Sequence, residues 1–215
     1  MTNERHARVE CELAGKTIIL ETGHIARQAH GSVLVTCGET QCFAAACMGP
    51  AKEEVDFFPL TVDYREMTDA AGKIPGGFFK REGRPTTKEI LTMRLIDRSI
   101  RPLFPEGLNR EVQVISRVYG YDGDNGADVL AMIASFAALH VSNLPFHGAL
   151  GAVRIGKIDG RLTVLPGDLP RRNESDLDLV VAGHRTGIVM VEASARELPE
   201  AEMLDALELA HDQIQ

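Results

Sequence analysis

The chain has no run apolar and long enough to cross a bilayer, no Cys-x-x-Cys pair, no internal repeat, no low-complexity tract and no linker-like segment. Each absence removes a class of function. The longest nearly apolar run, Val129 to Val141, is interrupted by Ser135 and His140 and falls short of the roughly 20 residues that a span needs. MTNERHARVE, the first residues, is charged from the start and lacks the apolar centre of a signal peptide, so a cytoplasmic protein with no membrane partner is expected. Cys11, Cys37, Cys42 and Cys47 lack zinc-ligand spacing, and the histidines at 24, 30, 140 and 147 are scattered, so no metal site is expected. Cys37 and Cys42 flank a turn and could approach each other, but in a reducing compartment buried free thiols are the expectation. Excess positive charge is also missing. A net charge of −8 excludes a chain that coats nucleic acid over its whole surface, so any polyanion site must be local.

What is present fills a core. In 215 residues, 44% are hydrophobic, enough for one large domain. RVECEL and TIILET flank Ala14-Gly15-Lys16, and SVLVTC and QCFAAAC flank Gly38-Glu39-Thr40, which predicts two hairpins. Two more are expected around Asp159-Gly160 and around His184 to Thr186. After LTVDY, the stretch from Arg65 to Pro85 shows neither strand nor helix period and is rich in glycine and proline; it is predicted as a long, functional loop. Thr86 and Glu89 then fit a capping box, and Pro102 marks the end of the helix they open. On that helix Met93, Ile96 and Ile100 share one side, while Arg94, Arg98 and Arg101 share another that is expected to be free to bind. An almost wholly apolar helix near Asp128 to Val141 should be buried, and a last helix is predicted from about Pro199 to His211. The sum is one α+β domain over residues 1–215, with mixed sheets packed against helices.

Three features could carry chemistry. From Lys73 to Arg101 there are eight basic and three acidic residues, a local +5 that leaves −13 for the rest. Within that island, IPGGFFKREGRP (Ile74 to Pro85) sets Phe78 and Phe79 beside Lys80 and Arg81. Single-stranded nucleic acid needs cations for its backbone and aromatic faces for its bases, and four residues offer both. The alternative is that both rings tuck into the core and the charges are merely solvated. Second, Asp176-Leu177-Asp178 would place two carboxylates on one strand face, the kind of pair that holds Mg²⁺, but the next same-face residue is Val180. Third, Gly120 to Gly126 precedes the buried helix and could cradle a phosphate, yet Asp122, Asp124 and Asp128 surround it and no Ser or Thr offers a hydroxyl; a capping turn is expected.

The segments LETGHIARQAHGSVLVTCGET, DFFPLTVDYREMTDAAGKIPGGFFKREGRPTTKEILTMRLIDRSIRPLFP and LDLVVAG resemble the first of two ribonuclease-PH-like domains in the bacterial polynucleotide phosphorylase family. The similarity runs from about Val9 to the C-terminus. It implies a ribonuclease-PH-like fold, of the kind also called ribosomal protein S5 domain 2-like. It also implies the first portion of a homotrimeric ring enzyme that carries a second such domain, a helical insert, and KH and S1 domains. Such an enzyme degrades single-stranded RNA, mRNA included, from the 3′ end using inorganic phosphate and Mg²⁺, releases nucleoside diphosphates, and works with RNA degradosome components. The resemblance further implies that chemistry is absent here. Val180 stands where the family's catalytic domain has the lysine of Asp-x-Asp-x-Lys, Arg172 stands at an upstream aspartate position, and the phosphate turn lacks its serine. No catalytic residue, metal ligand or cofactor is therefore expected in this domain. By the same comparison Phe78, Phe79, Lys80 and Arg81 form an aromatic constriction, and Arg84, Arg94, Arg98 and Arg101 contact RNA or phosphate. Three readings stay open: an RNA-guiding but catalytically silent domain, a ring-forming subunit without RNA contact, and a stand-alone phosphorolytic ribonuclease.

Overall fold

A computed structural model describes residues 6–51, 56–165 and 169–215. Among these residues ten strands form two sheets. The first is ordered β1 (Ala7–Leu13), β2 (Lys16–Thr22), β3 (Gly31–Cys37), β4 (Thr40–Ala51), β6 (Arg110–Gly120), β5 (Leu60–Glu66). The second is ordered β10 (Gly187–Ala195), β9 (Leu177–His184), β7 (Gly151–Ile158), β8 (Arg161–Val164). All pairings are antiparallel except β5 with β6, whose connection carries α1 (Thr87–Ile100). That matches the geometric need of parallel neighbours for a long crossover. Two-residue turns join Leu13 to Lys16 and Ile158 to Arg161, and their central residues, Ala14-Gly15 and Asp159-Gly160, all have positive φ, the primed geometry that suits strand twist.

Between the sheets lies α2 (Ala127–His140), packed on β3, β4, β6 and β7. Its all-round apolar sequence is explained by that position: Val129, Leu130, Met132, Phe136 and Leu139 are buried on different sides. Close approach is enforced at Gly31, where a Cβ would meet the Ala138 carbonyl oxygen at 2.1 Å. On the far face of the second sheet lies α4 (Glu200–Ile214), with Ala206 and Ala210 buried against Val153, Ile155, Leu177, Leu179 and Val181. Those strand residues alternate with Arg154, Asp178, Val180 and Ala182, which occupy the α2 side as the two-residue period of a strand requires. A short α3 (Leu169–Glu174) leads into β9.

The hairpins, the long loop and the helices expected from sequence are present. Cys37 and Cys42 are buried free thiols, as expected, while Cys11 and Cys47 are exposed, because β1 is an edge strand and Cys47 alternates to the open side of β4. Burial drives the Cys42 thiol far above its ordinary range, so it is unreactive. No helix among the described residues is long and apolar enough to cross a membrane.

Candidate nucleic-acid interface

The loop after β5 is held at its base and open at its tip. Thr86 accepts from the Glu89 amide while Glu89 accepts from the Thr86 amide at 2.6 Å, the reciprocal cap that starts α1. Glu89 is buried and reaches further. Its Oε1 also accepts from the Glu66 amide at 2.9 Å and from Arg65 Nε at 3.2 Å, tying the helix start to β5. Burial alone would raise the Glu89 carboxyl, but the Thr86 and Glu66 bonds and the Arg65 charge outweigh it, and its pKa is lowered. Arg65 Nη2 donates to the Gly83 carbonyl at 2.8 Å, and the Thr68 amide donates to Glu82 at 2.7 Å. Beyond these pins the rings project: Phe78 is 93% exposed and Phe79 82%, in edge-to-face contact at 5.4 Å. They do not tuck into the core.

Lys80, Arg81, Arg84 and Arg94 are exposed and make no side-chain hydrogen bond or ion pair among the described residues. Arg98 and Arg101 differ, which corrects the expectation of a free arginine face. Arg98 pairs with Glu192 on β10 and donates to the Val191 carbonyl at 3.2 Å. Arg101 grips Asp97 through two bonds, of 2.8 and 2.7 Å, and donates to the Phe58 carbonyl at 3.0 Å. Both remain exposed, and exposed ion pairs contribute only ~0–1 kcal/mol, so a phosphate could compete for either guanidinium. Between α1 and the β9–β10 edge lies a cleft of about 770 Å³ onto which Lys88, Arg94 and Arg98 face together with Ile90 and Leu91. The two apolar residues, about half exposed, add a non-polar wall that helical projection of the arginines did not show.

At the floor of that cleft Asp128 and Asp178 are closed off by arginines. Arg154 on β7 is buried and donates from Nη1 to Asp128 at 2.8 Å and from Nε to Asp178 at 2.7 Å. Arg172 adds a bond of 3.1 Å to the other Asp178 oxygen. Burial favours the neutral form of Asp128, but the charges of Arg154 and Arg172 prevail and hold its carboxyl low, at about 2. Asp176 precedes β9 and lies 3.8 Å from Arg196 instead. With two guanidiniums on Asp178 and buried Val180 two residues on, these residues do not fit a Mg²⁺ site: the negative charge that would draw a cation is already neutralised by Arg154 and Arg172. Arg154 was missed by sequence reading. Its signal was an arginine inside an otherwise apolar strand, GAVRIG, which called for a buried acid partner.

The turn before α2 is built around Asp122, whose carboxylate accepts from Thr40 Oγ1, the Glu39, Asp124 and Asn125 amides and Asn125 Nδ2. Burial would raise that carboxyl, but these bonds lower it strongly. A built-in carboxylate thus fills the turn. Asp128, expected to add to the exposed negative charge there, is instead neutralised in the interior by Arg154.

Residues 14–145 match the family model described as 3′ exoribonuclease family, domain 1, and residues 148–213 match domain 2 of that family. The chain is 53% identical over 207 residues to a polyribonucleotide nucleotidyltransferase of Rhodopirellula baltica, covering 96% of this chain and 27% of that protein. It is likewise 53% identical over 209 residues to the polyribonucleotide nucleotidyltransferase of Rhodospirillum centenum, covering 97% of this chain and 29% of that one. The chain therefore spans less than a third of these relatives. Among solved structures it is similar in fold to an archaeal exosome core (TM-score 0.67, 18% identity, 91% of this chain and 82% of that one). It is similar in the same way to rice (Oryza sativa) Rrp46 (TM-score 0.69, 16% identity, 97% and 89%).

Proposed function

The chain belongs to the 3′ exoribonuclease family, and on that premise we propose that it is the RNA-guiding, catalytically silent first ribonuclease-PH-like domain of a polynucleotide phosphorylase. In this reading the whole enzyme degrades RNA from its 3′ end with inorganic phosphate as co-substrate and Mg²⁺ as cofactor, as a homotrimeric ring in the cytoplasm. Both the metal and the phosphate would act at a second domain. The observation that carries the reading is the pair Phe78 and Phe79, held almost fully exposed by a loop pinned at its base and followed by Lys80, Arg81 and Arg84, which are unpaired among the described residues. Leaving two rings in water costs burial that the core could have used, so an occupant for them is the economical explanation.

Phe78 and Phe79 would stack on successive bases, while Lys80, Arg81, Arg84 and Arg94 would hold the backbone. Arg98 and Arg101 would join by exchanging their carboxylate partners for phosphate. Lys80 gives a point charge, where an arginine would offer a planar fork. Photocrosslinking of single-stranded RNA to the chain tests this: adducts on the peptide carrying residues 78–81 are expected. Adducts elsewhere only, or none, would favour a ring-forming subunit without RNA contact. Phosphate-dependent release of nucleoside diphosphates by the 215-residue chain alone would instead point to a stand-alone ribonuclease.

A further inference from the structure

The β1–β2 hairpin carries a side-chain cluster remote from the cleft. His6 immediately precedes β1, Glu21 lies near the end of β2, and His24 follows Gly23, whose φ of 91° turns the chain where β2 stops. Antiparallel register pairs Ala7 with Thr22, which sets His6 across from that turn. The two imidazole rings are 3.9 Å apart between centroids, and His6 Nε2 is 3.8 Å from Glu21 Oε1. One donor atom from each of the three residues lies within 4.8 Å of the others, and no other such group occurs among the described residues.

We propose that His6, Glu21 and His24 form a Zn²⁺ site. Two imidazoles and a carboxylate are a donor set that zinc accepts with a fourth position left to water, whereas Mg²⁺ and Ca²⁺ take oxygen ligands. Tetrahedral ligands at about 2.0–2.1 Å from zinc stand about 3.3 Å apart. Closing the present separations to that value needs rotamer adjustments of partly exposed side chains, with no movement of the core. The competitor is Arg8, whose Nε is 3.8 Å from the same Glu21 oxygen, and which also pairs with Glu10. Such an exposed contact is weak, and Arg8 keeps Glu10 when Glu21 turns to the metal. Bound zinc ties residue 6 to the β2–β3 loop and so clamps the edge strand β1, whose residues are otherwise open to solvent. Sequence reading gave no hint of this, because the two histidines are far apart in the chain and meet only through the hairpin.

The test is Zn²⁺ affinity of the untagged 215-residue chain by competition with a chromophoric chelator, with Co²⁺ absorption as a ligand fingerprint. One equivalent of Zn²⁺ is expected, with affinity falling at least tenfold in His6→Ala and in His24→Ala and rising in Arg8→Ala. The Co²⁺ form should show visible d–d bands without thiolate charge transfer, which excludes the four free cysteines as ligands. All three substitutions are at exposed positions, and unchanged melting without metal verifies that they fold. The proposal is overturned if the parent binds no zinc, if His6→Ala/His24→Ala binds as tightly as the parent, or if Co²⁺ reports sulfur ligation.

Discussion

Two regions that line or flank one cleft have opposite designs. The loop bearing Phe78 and Phe79 leaves two rings in water that touch only each other, beside cations with no carboxylate partner among the described residues, whereas the Arg154–Asp128–Asp178–Arg172 cluster pairs its charges among themselves. An open set of groups is available to a ligand at small cost; a closed set must first be broken. A carboxylate pair that two guanidiniums occupy is part of the scaffold, whereas the loop stays open to solvent.

Breaking the closed region should give the largest effect. Arg154→Met leaves Asp128 buried beside one distant guanidinium, so a loss of about 3–5 kcal/mol in unfolding free energy is expected by denaturant titration. A loss below about 1 kcal/mol would mean that the cluster does not hold the second sheet to α2. In the open region Phe78→Ala with Phe79→Ala should leave stability unchanged and weaken single-stranded RNA binding by about 1–3 kcal/mol per ring that stacks, read by fluorescence anisotropy. Loss of stability with intact binding would invert the assignment of the two regions.

Acid sharpens the contrast further. The Asp128 carboxyl is lowered from the ordinary value of about 3.9 to about 2, so its contribution to stability is fully present above about pH 4 and is lost as pH falls through about 2. Stability of the parent should therefore fall across that window, and Arg154→Met should flatten the dependence. The smallest effect is expected at the arginines. Arg94→Ala should reduce the salt slope of RNA binding by about one phosphate contact, and Arg98→Ala or Arg101→Ala by less, because each already has a carboxylate partner. Equal slopes for all three would show that the ion pairs do not matter to RNA.

What could be read from sequence was local. The Thr86–Glu89 capping box, the Ala14-Gly15 and Asp159-Gly160 turns and the unpatterned loop follow from residues a few positions apart, and the structure has them. The buried α2 was legible because its sequence is apolar on almost every side, with its charged and titratable residues, Asp128 and His140, confined to its two ends. Partners distant in sequence were not legible: Arg98 with Glu192, 94 residues away, and Arg154 with Asp128, 26 residues away. Helical projection put Arg94, Arg98 and Arg101 on one side but could not see that Arg98 would meet β10 while Arg101 turned to Asp97 and Phe58. Val180 and Arg172 could be read beside Asp178 in the sequence, while Arg154, the buried partner of Asp178, is brought to it only by the pairing of β7 with β9.

The central claim is that this domain threads RNA and leaves the chemistry to another. Its most direct test is phosphorolysis by the full-length enzyme carrying Phe78→Ala and Phe79→Ala, on a long single-stranded RNA and on an oligomer too short to reach the loop from the catalytic domain. Processive degradation of the long RNA should fall at least tenfold while turnover of the short oligomer stays within about twofold, the separation expected when only stacking is lost. An equal loss on both substrates, or none on either, would contradict the account.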